Sequence, residues 1–247
     1  MSDFRIIAGP CSVESEQQVY RIAVKLSAIG VTHFRAGAWK PRTDPESFQG
    51  MGRAGLRLAS AACREHGLKL VSEILDVHDV GFASEFIDIP QIGSRNMHNV
   101  PLIREVAHTF PVILIKRGFA ATLHELEAAT RYALAVNPSA HIIVCERGLR
   151  SFEPSLRNQL DLAGALAFKL DHPNVEVIVD PSHATGRRDL VIPMAAAACA
   201  AGLDGALIEV HDFPEEALCD GDQAVSVEMI EALQMFVMTH PVWNFGE

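Results

Sequence analysis

The chain has 247 residues, of which 49% are hydrophobic, and a formal net charge of −10. So large an apolar fraction provides for an extensive buried core and excludes an intrinsically disordered chain. With 31 acidic against 21 basic side chains, the sequence also lacks the basic stripe that neutralises phosphates along a nucleic acid, so we expect no nucleic-acid partner.

Short apolar runs and helical patterns alternate eight times along the chain. The predicted strands are 5–8, 33–35, 69–72, 87–91, 112–116, 141–145, 176–179 and 206–210. The predicted helices are 15–29, 52–66, 77–84, 99–108, 122–135, 156–169, 189–201 and 224–238. Strict alternation predicts parallel strands covered by helices, and eight units predict a single-domain (β/α)8 barrel, or TIM barrel. An open Rossmann or flavodoxin-like sheet is the alternative, but residues 8–12 lack the G-x-G-x-x-G spacing.

Targeting and membrane signals are missing from the sequence. The longest apolar stretch, 191–203, is too short to span a bilayer, and the first residues lack the apolar core of a signal peptide. The five cysteines are odd in number and include no C-x-x-C spacing, which argues against a disulfide framework and favours a reducing compartment. We therefore expect a cytoplasmic protein without a membrane partner.

Ionisable or metal-binding residues follow every predicted strand, and (β/α)8 barrels place their active sites at the carboxyl ends of the strands. One subset offers a thiol, an imidazole and two carboxylates. Its members are Cys11, His183, Glu209 and Asp220. This mixture suits a divalent transition metal such as Mn2+, Fe2+, Co2+ or Zn2+, and it fits Mg2+ or Ca2+ poorly because of the thiol.

A second subset is purely cationic and consists of Arg35, Lys40, Arg42, Arg95, Lys116 and Arg147. Six cations at one barrel mouth would repel one another unless anions lay between them, so the set predicts ligands that carry phosphate or carboxylate groups. Taken singly, each residue has a simpler explanation, since an isolated buried cysteine is usually a small hydrophobic side chain. Their coincidence at the strand ends of one barrel favours a functional site.

Ordered motifs resemble those of the 3-deoxy-D-arabino-heptulosonate 7-phosphate (DAHP) synthases, in particular a short, single-domain type I form. They begin with Ala-Gly-Pro-Cys-Ser-Val-Glu-Ser at 8–15 and Phe-Arg-Ala-Gly-Ala-Trp-Lys-Pro-Arg-Thr at 34–43. They continue with Ser-Phe-Gln-Gly at 47–50, Gln-Ile-Gly-Ser-Arg-Asn-Met at 91–97, Lys-Arg-Gly at 116–118 and Glu-Arg-Gly at 146–148. Asp-Pro-Ser-His-Ala-Thr-Gly-Arg-Arg at 180–188 and Glu-Val-His at 209–211 complete a set that covers nearly the whole chain.

The resemblance implies a barrel enzyme that condenses phosphoenolpyruvate with the aldose phosphate erythrose 4-phosphate and water, giving DAHP and inorganic phosphate in the first step of the shikimate pathway. It assigns a divalent metal to Cys11, His183, Glu209 and Asp220. It assigns the two substrates to Arg35, Lys40, Pro41, Arg42, Thr43, Ser94, Arg95, Lys116 and Arg147. The catalytic residues that we expect are Cys11, Lys40, Glu73 and His183, with Glu73 in proton transfer.

The 3-deoxy-D-manno-octulosonate 8-phosphate (KDO8P) synthases share the barrel and the reaction type. They carry an Asn-containing segment in place of Lys-Pro-Arg-Thr, so residues 40–43 favour the four-carbon aldose. Ala36, Ser94 and Ala184 depart from the usual DAHP synthase pattern, which leaves open a paralogue that takes another aldose phosphate. A catalytically silent barrel that binds a partner is a further alternative, against which the complete metal-donor set argues.

The ends of the chain lead to two further expectations. The first predicted strand begins almost at once, so we expect residues 1–247 to form the catalytic barrel without an appended regulatory domain. The aromatic segment 241–245 predicts a contact with a neighbouring subunit, and hence a homo-oligomer, either a dimer or a tetramer.

Overall fold

The computed structural model describes residues 4–42 and 44–240. Its strands are β1 (Arg5–Gly9), β2 (His33–Arg35), β3 (Lys69–Glu73), β4 (Ile89–Ile92), β5 (Val112–Lys116), β6 (His141–Glu146), β7 (Glu176–Val179) and β8 (Gly205–Glu209). They are parallel and pair in chain order, and β8 also pairs with β1, so the sheet closes into a barrel. The predicted (β/α)8 barrel is therefore confirmed.

Helices follow the strands and cover the outside of the barrel. They are α1 (Glu16–Ala28), α2 (Gly52–Glu65), α3 (Val77–Ala83), α4 (Val100–Thr109), α5 (Leu123–Val136), α6 (Leu162–Asp171), α7 (Pro181–Thr185), α8 (Arg188–Ala200) and α9 (Val227–Thr239). Short 3-10 turns occupy Ser94–Asn96, Pro214–Glu216 and Gly221–Gln223. Among the described residues, no helix combines the length and apolar character needed to cross a membrane.

Alternate residues of the strands supply two separate apolar layers. Inside the barrel, the side chains of Ile7, Val71, Leu114, Ile143 and Leu207 are fully buried and form one cluster. The outward-facing strand residues pack with the apolar faces of the helices in a second, larger cluster. Because the interior is filled by side chains, the barrel is a packed core, and the space for ligands lies beyond the strand ends.

The predicted helix 156–169 is wrong in its first part, since α6 begins only at Leu162. Asp161 caps that helix, accepting a hydrogen bond from the backbone N–H of Gly164 at 2.8 Å. Before this cap, the backbone N–H groups of Arg157 and Asn158 donate to the carbonyls of Thr185 and Ala184, at 3.0 and 2.8 Å. These long-range bonds take the place of helical ones, so the segment lies against α7 as a loop.

Several predicted boundaries have identifiable causes. A capping box begins α5, in which Thr122 and Glu125 each bind the backbone of the other at the first turn. Gly30 and Gly67, which follow α1 and α2, have φ angles of 85° and 67°, in the left-handed region where glycine is favoured. Local sequence signals therefore fix where these helices begin or end.

A polar cluster lies where the amino-terminal ends of the strands meet. Oε1 of Glu176 forms an ion pair with Nε of Arg5 at 2.8 Å, and Oε2 accepts a hydrogen bond from Nε2 of His141 at 2.8 Å. Nη1 of Arg5 is 3.3 Å from Nε2 of His33. Burial, followed by the charges of Arg5 and Lys69, lowers the pKa of His33 to about 4. The imidazole of His33 is therefore neutral in the folded protein at neutral pH.

Candidate active site

A cavity of about 250 Å³ opens at the carboxyl ends of the strands. It is lined by Arg35, Lys40, Pro41, Arg42, Asp44, Ser47, Glu73, Gln91, Gly93, Ser94, Arg95, Lys116, Phe119, Arg147, Arg157, His183 and Asp220. Closure of the barrel brings residues that are far apart in sequence to one small volume. Most of the predicted substrate-binding residues are among them.

The four predicted metal donors come together beside this cavity. Cys11 lies two residues after β1, Glu209 ends β8, His183 belongs to α7, and Asp220 lies in the loop that follows β8. One potential ligand atom from each residue lies within 4.8 Å of the other three. Sulfur, nitrogen and oxygen donors at this spacing fit a divalent transition metal.

His183 is oriented by the residue that caps its own helix. Oδ1 of Asp180 accepts from the backbone N–H of His183 at 2.9 Å, and Oδ2 lies 2.7 Å from Nδ1 of the ring. Lys116 also donates to Oδ2 of Asp180. Nε2 of His183 therefore faces inward, 3.0 Å from Oε1 of Glu209. Burial lowers the pKa of His183 to about 4 despite these carboxylates, which keeps the imidazole neutral and able to act as a ligand.

The thiol of Cys11 lies between cations and a carboxylate. Lys40 donates to its sulfur, as does Nη2 of Arg35 at 3.5 Å, and the sulfur is 3.0 Å from Oδ2 of Asp220. Burial, together with Cys219 and Glu209, raises the pKa of Cys11 well above its usual range, while Lys40 and Arg35 act in the opposite direction. A divalent cation favours the thiolate of a coordinating cysteine, so this environment fits a metal ligand.

Both carboxylate donors are held in the charged form. Burial alone would raise the pKa values of both carboxylates. His183 and Arg35 nevertheless lower the pKa of Glu209, and Lys40 and His183 lower the pKa of Asp220 by a larger amount. Nη1 of Arg35 donates to Oε1 of Glu209 at 2.7 Å. Asp220 has a φ angle of 57°, so its backbone is in the left-handed region that non-glycine residues rarely adopt. Such local strain is common at functional sites.

One part of the cavity lining combines guanidinium groups with an aromatic ring. Arg147 is 4% exposed, and its Nη1 has no hydrogen-bond partner within the described ranges. The guanidinium carbon of Arg147 lies 4.6 Å from the ring centroid of Phe119, and that of Arg95 lies 5.5 Å from it. A buried guanidinium with an unpaired N–H is suited to an anionic ligand.

Glu73 is an acidic side chain among these cations. Burial raises the pKa of Glu73, although Lys40 and Lys116 act to lower it. Its Oε2 accepts from Gln91 at 3.3 Å, and its Oε1 lies only 1.9 Å from where a Cβ at Gly93 would stand. Gly93 is thus required for the observed position of the carboxylate. A carboxyl group with a raised pKa can exchange a proton near neutral pH more readily than an ordinary glutamate.

The structure describes most of the predicted site residues and brings further residues to the cavity. The structure places Pro41, Arg42 and Ser94 on the cavity wall, whereas Thr43 lies outside the described residues, as does the segment 241–245. Sequence reasoning overlooked Phe119 and Arg157. Phe119 lies three residues beyond the end of β5, where a search for aromatic as well as charged side chains would have found it, and Arg157 was assigned to a helix.

The chain matches the DAHP synthetase I family over residues 2–241. A phospho-2-dehydro-3-deoxyheptonate aldolase of Thermotoga maritima is 43% identical over 230 residues, which cover 93% of this chain and 68% of the relative. A 2-dehydro-3-deoxyphosphooctonate aldolase of Geotalea uraniireducens is 31% identical over 246 residues, covering 92% of this chain and 89% of the relative.

Solved structures agree with the sequence comparisons. The crystal structure of the Thermotoga maritima phospho-2-dehydro-3-deoxyheptonate aldolase (DAHP synthase) has a TM-score of 0.89 and 42% identity, covering 94% of this chain and 67% of that one. A truncated form of the Thermotoga maritima 3-deoxy-D-arabino-heptulosonate 7-phosphate synthase has a TM-score of 0.86 and 40% identity, with coverages of 94% and 84%. Sequence and fold together show that the chain belongs to the DAHP synthetase I family.

Proposed function

We propose that this chain condenses phosphoenolpyruvate with erythrose 4-phosphate to form DAHP, in a reaction that requires a divalent transition metal. The observation that carries the proposal is the cation-lined cavity directly beside four clustered metal donors. The relative named phospho-2-dehydro-3-deoxyheptonate aldolase, at 43% identity, supports the same activity. Apart from Thr43, every residue that this proposal uses belongs to the described barrel, and we propose that the barrel acts in the cytoplasm as a homo-oligomer.

Phosphoenolpyruvate is assigned to the deeper part of the cavity. Arg35 and Lys40, both buried, receive its carboxylate. Its phosphate is assigned to Ser94, Arg95, Lys116 and Arg147, which line the same cavity. The unpaired Nη1 of Arg147 supports this assignment, because a phosphate oxygen would satisfy a donor that no described residue satisfies.

The aldose phosphate is assigned to the segment that follows β2. Lys40, Pro41 and Arg42 line the same cavity, so the two substrates meet within one volume. Arg42 and Thr43 receive the phosphate of the aldose, which leaves its aldehyde directed toward the metal donors. Arg42 supplies the bidentate geometry that phosphate groups favour.

The proposed reaction forms one carbon–carbon bond and one carbon–oxygen bond, and it breaks the carbon–oxygen bond to the phosphate. C3 of phosphoenolpyruvate bonds to the aldehyde carbon, and a water oxygen bonds to C2. The bond from C2 to the bridging phosphate oxygen then breaks, the C2 hydroxyl becomes the ketone, and inorganic phosphate leaves. One proton of the water goes to the alkoxide formed from the aldehyde, and the other goes to the departing phosphate. Lys116 and Arg147 stabilise the departing phosphate, and Glu73 moves the proton.

Cys11, His183, Glu209 and Asp220 would hold the metal, which, when bound, supplies Lewis acidity toward the aldehyde oxygen. Among the candidates Mn2+, Fe2+, Co2+ and Zn2+, the thiol of Cys11 favours the softer ions. The neutral imidazole of His183 and the two charged carboxylates give the donor states that such an ion requires.

Two other functions remain as competitors. Octulosonate-type relatives reach 31% identity, against 43% for the heptonate aldolase, so an eight-carbon product is not favoured. A silent barrel is opposed by the complete set of clustered donors.

The deciding experiment measures phosphate release from phosphoenolpyruvate with erythrose 4-phosphate, first with Mn2+ and then with EDTA. We expect release that needs both the aldose phosphate and the metal. Release with arabinose 5-phosphate alone would assign the same chemistry to another substrate. Release that is undiminished by EDTA would contradict the metal requirement, and no release with any aldose phosphate would contradict the enzyme activity.

A further inference from the structure

Two side chains, those of Arg157 and Gln223, form a hydrogen-bonded bridge between the two carboxylate donors, Asp220 and Glu209. Nη1 of Arg157 donates to Oδ1 of Asp220 at 3.0 Å and to Oε1 of Gln223 at 3.1 Å. Nε2 of Gln223 in turn donates to Oε2 of Glu209 at 2.6 Å. Asp220 and Glu209 are thus joined through Arg157 and Gln223.

The bridge uses the carboxylate oxygens that point away from the other donors. Oδ2 of Asp220 faces the sulfur of Cys11 at 3.0 Å, and Oε1 of Glu209 faces Nε2 of His183 at 3.0 Å. Arg157 and Gln223 bind Oδ1 and Oε2 instead. Each donor carboxylate therefore has one oxygen fixed by the bridge and one directed at the metal position.

The loop that carries Arg157 also fixes the imidazole donor. The amide of Asn158 donates to the backbone carbonyl of His183 at 3.3 Å. The backbone of Arg157 and Asn158 holds the end of the same helix through Thr185 and Ala184. Two consecutive residues thereby position three of the four donors.

We infer that Arg157 and Gln223 are positioning residues that orient the carboxylates of Asp220 and Glu209 for a divalent metal. This inference rests on the metal site of the proposed function. The like charges of Asp220 and Glu209 repel each other, and Arg35 and Lys40 pair only with their inward oxygens, Oε1 of Glu209 and Oδ2 of Asp220. The charge of Arg157 offsets that repulsion, and Gln223, which is 2% exposed, donates without adding a charge. Loss of such partners weakens metal binding by roughly 10- to 100-fold.

The test measures Mn2+ affinity by isothermal titration calorimetry in the absence of substrates. For Arg157→Met and for Gln223→Leu we expect a dissociation constant raised roughly tenfold or more. The double variant should be little weaker than either single one, because both residues act through one bridge. Arg187→Met is the matched control: its side chain is 48% exposed, against 42% for Arg157, and it pairs with Asp189, which is not a metal donor.

The outcomes separate this inference from the metal site itself. Wild-type protein that fails to bind Mn2+ would contradict the proposed metal site and the inference with it. Wild-type binding with an unchanged dissociation constant in Arg157→Met would overturn the inference alone. An increase in KM for the aldose phosphate without a change in Mn2+ affinity would make Arg157 a substrate ligand, and would also overturn it. Melting of the metal-free variants reports any general loss of fold.

Discussion

Phe119 contributes an aromatic face, rather than a charge, to the end of the cavity that we assign to phosphate. Three guanidinium groups, from Arg95, Arg147 and Arg150, lie within 5.5 Å of its ring centroid. The negative face of the ring attracts all three, which partly offsets their mutual repulsion. It therefore keeps Arg95 and Arg147 in place when no anion is bound.

Phe119→Leu is expected to raise the KM for phosphoenolpyruvate by about tenfold, with a smaller effect on kcat, because its cation–π contacts with Arg95 and Arg147, the arginines that we assign to phosphate, are lost. Phe119→Tyr keeps the ring and should stay close to wild type. Steady-state kinetics with varied phosphoenolpyruvate measure both parameters. An unchanged KM in Phe119→Leu would show that the arginines do not need the ring.

Cys11→Ala is expected to abolish Mn2+ binding and metal-dependent turnover while the fold is retained, because the only sulfur in the donor group of the described residues is removed. Calorimetry and circular dichroism check the two parts of this prediction. Cys63→Ala makes the same change at a buried thiol of α2, away from the site, and should bind Mn2+ normally. Full Mn2+ binding by Cys11→Ala would refute the ligand assignment.

At the scale of elements, the residue that caps α6 also takes part in contacts that reach the strands. Asp161 binds the backbone of Gly164 and also pairs with Arg117 at 2.9 Å. Arg117 in turn reaches Glu146 at the end of β6. The cap thus connects the first turn of α6 to the carboxyl ends of two strands.

Asp161→Ala should lower the free energy of unfolding by about 1–2 kcal/mol, through loss of the cap and of a partly exposed ion pair. Asp161→Asn keeps the capping oxygen and should lose less than half of that amount. Urea denaturation monitored by circular dichroism gives both values. If the two variants were equally destabilised, the ion pair and not the cap would be the source of the stability.

The elements that sequence predicts well are those with local causes. Strand bounds agree to within two residues because apolar runs alternate with helical patterns, and α5 begins where its capping box places it. The predicted start of α6 is wrong because the backbone N–H groups of residues 157–158 donate hydrogen bonds to α7, a contact that no local sequence pattern reveals.

In the site, the position of the metal donors at strand ends makes them predictable, whereas the bridge through Arg157 depends on the path of a loop. Its Gln223 partner likewise has no signal of its own in the sequence.

At the scale of the whole molecule, the barrel has a polar end whose titration affects stability. The pKa of His33 is about 4 in the folded protein, because of burial and then of Arg5 and Lys69, against about 6.5 in an unfolded chain. Between these two values the unfolded chain binds a proton that the folded protein does not. Acidification from pH 7 to pH 5 therefore favours unfolding.

His33→Gln should reduce this acid sensitivity: the loss of unfolding free energy between pH 7 and pH 5 should shrink by about 1 kcal/mol, a value reduced for partial solvent exposure of the ring. Urea denaturation at the two pH values measures it. His124→Gln, at a side chain that is 84% exposed, serves as the control and should behave as wild type. An undiminished pH dependence in His33→Gln would assign the sensitivity to another group.

The pairing of the first strand with the last has a consequence for how the metal and the fold depend on each other. Gly9 of β1 is the register partner of Glu209 of β8, so Cys11 and the other three donors meet only when both ends of the barrel are joined. A chain still emerging from the ribosome holds Cys11 long before residue 220 exists and cannot assemble the site. In the closed barrel, the proposed metal ion would link β1 to β8, and stability would then rise with the logarithm of free metal concentration above the dissociation constant. On this proposal, cellular metal supply would set the fraction of chains that are folded as well as the proposed activity.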